Sequence, residues 1–132
     1  MYKPNDVPVR VEEYATQVIG AAIEVHRALG RGFLESIYEA ALAVELRERG
    51  IAFERQVVLP IEYRGVLVGT HRLDLLVCGE LVIELKSAAR NHDVHVAQVL
   101  SYLKAGAFPL GLILNFDSAL MKDGIRRVVP LL

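Results

Sequence analysis

The sequence predicts a mixed α/β fold, and three observations predict it. Two early stretches, 11–29 and 34–49, repeat apolar residues every three or four positions, the period of a helix with one buried face. Three runs with strand character follow at 53–63, 66–77 and 81–86, punctuated by Arg64-Gly65 and by Cys78-Gly79-Glu80. After one more helical stretch, residues 110–116 are continuously apolar, as suits a buried parallel strand. Helix, helix, three strands, helix, strand and a short last strand should place helices on both faces of a mixed sheet.

Taken in order, residues 1–9 carry Pro4 and Pro8 and read as a loose arm. The first helix should begin near Val11, with Glu12 and Glu13 at the positive end of its dipole. Tyr14, Val18, Ala22, Val25 and Leu29 form its stripe, and Gly30 stops it. The second helix shows Ile37, Ala41 and Val44 as its apolar row, flanked by Leu34, Tyr38 and Leu42, and ends at Gly50. Pro60 marks the first strand as an edge or a bulge. Asn91 and Asp93 are candidate caps for a third helix over 94–105, which Gly106 ends before Pro109. Residues 125–129 add a short edge strand. No repeat, low-complexity segment or linker interrupts the 132 residues, which read as one domain.

Composition narrows the function classes. Hydrophobic residues make up 53% and charged residues 23%, so the chain should fold around one core. Its single cysteine, Cys78, excludes an intrachain disulfide and suits a reducing compartment. No apolar run approaches the ~18 residues that cross a bilayer, and the first residues carry no apolar signal-peptide core. A cytoplasmic protein with no membrane association is expected. The formal net charge of −1 gives no global pull towards nucleic acid. A local patch would have to come from Arg72, Arg90, Lys104, Arg126 and Arg127, which otherwise form a solvated surface.

Chemistry concentrates in residues 73–86. Two apolar runs meet at Cys78-Gly79-Glu80, and Asp74, Glu84 and Lys86 interrupt them. Charges inside a sheet are costly unless paired, hydrogen-bonded or bound to metal. A two-residue loop would set Leu75 against Glu84 and Leu73 against Lys86. A three-residue loop sets Val77 against Leu81, Leu75 against Ile83 and Leu73 against Leu85, which makes one face wholly apolar. The other face then collects Asp74 opposite Glu84 and Arg72 opposite Lys86. Two adjacent carboxylates repel unless a cation lies between them.

Such a pair suits Mg2+ or Mn2+, which take carboxylate, water and phosphate oxygens. Lys86 could orient or deprotonate a water, or stabilise a pentavalent phosphate. Glu35, in the first turn of the second helix, could add a third carboxylate or simply complement the helix dipole. His95, Gln98 and Tyr102 share one face of the third helix and could look into the same cleft. Tyr38 reads as a core aromatic with its hydroxyl at the cleft rim, or as a substrate contact. His92 and His95 lack the further ligands that zinc requires.

Asp74 followed by Glu84-Leu85-Lys86 resembles the Asp…(Asp/Glu)-x-Lys signature of the PD-(D/E)XK nuclease superfamily. Gln98-Val-Leu-Ser-Tyr102 is similar to the Gln-x-x-x-Tyr motif of its RecB-like branch. Gly32-Phe-Leu-Glu35-Ser-Ile-Tyr38 resembles the motif that names the GxxExxY family, and the similarity to that family extends to 23–30, 63–65 and Asn115-Phe116. Arg31 departs from the proline common between those glycines. The resemblance implies the restriction-endonuclease-like αβββαβ core, here with an extra N-terminal helix. It implies metal held by Asp74 and Glu84 with the Leu85 carbonyl, Lys86 as the catalytic lysine, and Glu35 as an extra helical acid. Gln98 and Tyr102 are implied as accessory residues; Tyr38 and His95 are further candidate substrate contacts from their positions alone. The expected activity is hydrolysis of nucleic acid, DNA before RNA, with a homodimer as one way to extend the groove. The rival reading is a non-catalytic nucleic-acid-binding or protein-assembly module on the same fold.

Overall fold

The structure is a computed structural model and describes residues 6–89 and 92–131, with His92 described in its backbone alone. The chain runs α1 (Val9–Leu29), α2 (Glu35–Glu48), β1 (Phe53–Tyr63), β2 (Val66–Val77), β3 (Leu81–Lys86), α3 (His92–Gly106), β4 (Leu110–Asn115) and β5 (Ile125–Val128). A short 3-10 turn, Met121–Gly124, precedes β5. This is the expected α/β architecture: αβββαβ from α2 to β4, with α1 before it and β5 after it. The five strands lie in sequence order. Both β1–β2 and β2–β3 are antiparallel, β3–β4 is parallel across the α3 crossover, and β4–β5 is antiparallel. Val7 packs on the core, so the described end of the proline-bearing arm is held. Residues 1–5 and Asn91, the expected cap, lie outside the described residues. Among those described, no helix is long and apolar enough to cross a membrane.

Two apolar layers sandwich the sheet. On one face Val18, Ala22 and Val25 of α1 and Tyr38, Leu42 and Leu46 of α2 pack over Leu75, Ile83, Leu85 and Leu112. On the other, Val99, Tyr102 and Leu103 of α3 pack over Leu76, Val82 and Ile113. Every residue of β4 is buried, which is why its sequence is a continuous apolar run. β1 is an edge strand, and its register shifts between Ile61 and Glu62, just after Pro60.

The α2 face differs from the expected one. Ile37 and Val44 are exposed, whereas Tyr38, Glu39, Leu42 and Leu46 are buried. A count of apolar residues alone assigns Glu39 to solvent. Arg55 and Gln56 of β1 satisfy its carboxylate and turn the helix by part of a turn.

The hairpin register is the three-residue one. Val77 pairs with Leu81 and Leu75 with Ile83. The ladder ends there, so the expected Asp74–Glu84, Leu73–Leu85 and Arg72–Lys86 strand pairs do not form, and Asp74 meets Glu84 through side chains alone. Leu73 packs with the α3 layer while Leu75 packs with the other, and Arg72 lies opposite Val58 on β1. β2 therefore changes faces at Asp74. β1 does the same at Gln56, whose φ of 52° is left-handed: Arg55 reaches α2, while Val57 and Leu59 pack on the α3 side. A one-residue irregularity in both strands reverses the faces and separates β2 from β3 beyond this point.

Candidate active site

The strand separation opens the place where the charged residues meet. Asp74 Oδ2 accepts a hydrogen bond from the Leu85 amide at 2.8 Å, so a side chain stands in for the missing strand partner. Glu84 is 4% exposed, on the α3 face of β3. Lys86, two residues on, places Nζ 3.2 Å from Glu84 Oε2. Asp74 and Glu84 lie close enough to share a proton between their carboxyl groups. With both ionised, Glu84 Oε1 is a buried oxygen with no hydrogen-bond partner.

Burial first, and the charge of Asp74 second, push the Glu84 carboxyl up to about 7, against the opposing pull of Lys86. Asp74 is raised as well, mainly by burial, although its bond from the Leu85 amide and the charge of Lys86 oppose the shift. A buried, mutually repelling pair with a bare oxygen is costly in the absence of a cation. Two carboxylates beside a main-chain carbonyl match the oxygen donors of a hard divalent ion, which completes its shell with water and phosphate. The donor set fits such an ion. Among the described residues no three His, Cys, Asp or Glu side chains form a ready cage, so a third acid is not in place.

The structure brings Tyr102 to the pair and joins Gln98 to Tyr102. The Tyr102 phenol is pushed up to about 12 by burial, then by the charges of Glu84 and Asp74, with a hydrogen bond to Gln98 pulling the other way. Its ring meets His71 edge-on at 4.7 Å. It therefore stays protonated at neutral pH and can donate a hydrogen bond towards the carboxylates.

Glu35 stands apart: it is exposed in the first turn of α2. The α2 acid felt at Asp74 is Glu39, one turn further on, whose charge raises the Asp74 carboxyl. Arg55 Nε donates to Glu39 Oε2 at 2.9 Å, and Gln56 Nε2 donates to Oε1 at 2.6 Å. Sequence reasoning missed Glu39, Arg55 and Gln56. The available signal was an acid at Tyr38+1, beside a helix face otherwise filled by Tyr38, Leu42 and Leu46.

Tyr38 belongs to the scaffold. It is fully buried, stacked on Phe116 at 4.3 Å, and its hydroxyl donates to the Gly30 carbonyl and accepts from the Phe33 amide. The hydroxyl expected at the cleft rim closes the α1–α2 connector instead. That connector needs its glycines, since Gly30 and Gly32 have φ of 73° and 101°. Ser87 Oγ donates to the Phe33 carbonyl at 2.7 Å, which ties the connector to the end of the strand that carries Lys86. His95 lines a depression with Ile113, Asn115 and Arg126 that adjoins the carboxylate pair without including it. Arg127 pairs with Glu12 of α1, and Arg90 lies outside the described residues.

No curated protein and no solved structure matches the chain. The profile of the PD-(D/E)XK nuclease superfamily matches residues 12–128, a span from the start of α1 to the end of β5 that includes the separated strands with Asp74, Glu84 and Lys86. The chain belongs to the PD-(D/E)XK nuclease superfamily.

Proposed function

We propose that the protein is a metal-dependent nuclease that hydrolyses phosphodiester bonds, in DNA before RNA, with Mg2+ or Mn2+ at Asp74, Glu84 and the Leu85 carbonyl. The observation that carries this reading is the buried, unpartnered Oε1 of Glu84 beside Asp74 and Lys86. A bound divalent ion supplies charge neutralisation at the phosphate and a water of lowered pKa. Asp74 keeps its orientation through the Leu85 amide, and the charge of Glu39, itself held by Arg55 and Gln56, is felt at it from α2. Lys86 holds an ammonium at the open edge of the pair, where it can orient a water or bond a phosphate oxygen. Tyr102, hydrogen-bonded to Gln98, stands near the pair from the α3 side, where its hydroxyl can donate. Glu35 is left out of the metal set because it is exposed one turn from the acid that acts on Asp74. The RecB-like and GxxExxY affiliations and a cytoplasmic setting go with this reading.

A homodimer completes the proposal. Val66, Leu67 and Val68 pair with β1 alone or turn over its end, and their exposed side chains are an apolar surface for a second copy. Light scattering tests it, and a monomer at micromolar concentration would remove it.

The test of the activity is a cleavage panel over single-stranded, duplex and flap DNA and RNA with manganese. Wild type should cut at least one substrate, and Lys86→Ala should lose about a hundredfold or more in rate. Equal cutting by both proteins, or none by wild type, would leave a binding or assembly module as the better reading.

A further inference from the structure

We infer that the depression beside the carboxylate pair holds an unpaired nucleobase, so that the substrate is single-stranded nucleic acid or strand ends that have separated. The inference takes its substrate from the nuclease reading above and its geometry from the sheet. Glu84 on β3 lies opposite Ile113 on β4, and Ile113 lies opposite Arg126 on β5. Residues in register share a face, so the three form one row, about 10 Å from end to end at the usual strand spacing. Lys86 and Asn115 form the next row. Val128, two residues beyond Arg126, packs in the α3 layer, whereas Arg127 pairs with Glu12 on the opposite side. Arg126 is thus on the same face as the site.

A cavity of about 200 Å3 lies at the Ile113–Arg126 end of this row, lined by His95, Ile113, Asn115, Asp123, Ile125 and Arg126. Its chemistry selects the ligand. Ile113 provides apolar wall from the α3 face, while the Ile125 side chain packs on the opposite face. Asn115 gives one amide hydrogen to the Ala88 carbonyl at 3.1 Å and accepts from the Asp117 amide at 3.0 Å. It keeps one donor and one acceptor for another partner. The Asp123 carboxylate would repel a phosphate but can accept an N–H from a base edge. Arg126 is planar and can stack on a base or bond its edge. A neutral heteroaromatic ring with polar edges satisfies all four groups, and a phosphate conflicts with one of them. A base inside a duplex is stacked and paired and cannot enter, so an unpaired strand pays least to occupy the pocket.

Fluorescence anisotropy in EDTA, where no cleavage occurs, tests the pocket with two probes. One is a short fluorescein-labelled single-stranded DNA, and the other is the same backbone with abasic positions throughout. Wild type should bind the abasic strand about tenfold more weakly. Arg126→Ala, at an exposed position, should remove most of that difference and leave abasic binding within about twofold, with an unchanged circular dichroism spectrum. Equal binding of both strands by wild type overturns the inference. So does an Arg126→Ala loss that is equal on both strands, which marks a phosphate contact. Base-dependent binding without any cleavage in manganese keeps the pocket and removes the nuclease reading. Cleavage with base-independent binding does the reverse.

Discussion

Asp74 and Leu85 replace a main-chain strand pair with a side-chain one: the Asp74 carboxylate accepts the Leu85 amide at 2.8 Å. The contact forms where the β2–β3 ladder ends and both β1 and β2 change faces. It lets β2 leave β3 without orphaning a buried amide, and it fixes one carboxylate oxygen while the rest of the group turns towards Glu84.

The raised Glu84 carboxyl makes the metal-free protein less stable as pH rises. The folded state holds the proton up to about 7, whereas an unfolded glutamate releases it near the ordinary value of 4.5. Between those values the native state binds more protons, so stability is full below about 4.5 and falls towards 7. The loss is on the order of 3 kcal/mol for a shift of this size. Urea titrations in EDTA across this range should show the decline in wild type and a clearly shallower one in Glu84→Gln, where the raised Asp74 carboxyl remains. A wild-type midpoint that holds or rises with pH would sink the assignment.

Divalent ions should reverse that loss. At pH 8, manganese at a hundred times its dissociation constant should add about 2.7 kcal/mol to wild type. Asp74→Asn and Glu84→Gln should gain little. Thermal melts with and without manganese, paired with calorimetric titration, measure both sides. Equal gains in all three proteins would place the ion elsewhere.

Glu39→Ala should destabilise the fold by about 1 kcal/mol, because it removes the carboxylate that accepts from Arg55 and Gln56, which are themselves exposed and can turn to water. If Glu39 also holds Asp74 in place, cleavage at a temperature where the variant is fully folded should drop while substrate binding in EDTA stays near wild type. Full activity in the folded variant would confine Glu39 to structure.

Tyr38→Phe should cost about 1 kcal/mol in chemical denaturation, from the lost bonds to Gly30 and Phe33. Because the hydroxyl is spent on the α1–α2 connector, kcat and KM should stay within about twofold of wild type in the folded protein. A large fall in kcat with unchanged stability would return Tyr38 to the site.

The sequence by itself determined the order of elements, the buried parallel β4, the three-residue loop that sets Val77 against Leu81, and the Asp74, Glu84 and Lys86 grouping. Each of these follows from local alternation of apolar and polar residues within a few positions, where face and register are coupled. Helical spacing also sufficed to put Gln98 and Tyr102 together.

The tertiary structure alone decided the rest. The reversal at Gln56 and Asp74 depends on two strands deforming in concert, which no single strand's pattern reveals. Glu39 became a buried member of the site because β1, distant in sequence, supplies Arg55 and Gln56 to neutralise it. Exposed Glu35, one turn earlier, has no such partners among the described residues. The row from Glu84 through Ile113 to Arg126 exists only because β3, β4 and β5 lie side by side, so the base pocket could be read from no one segment of the chain.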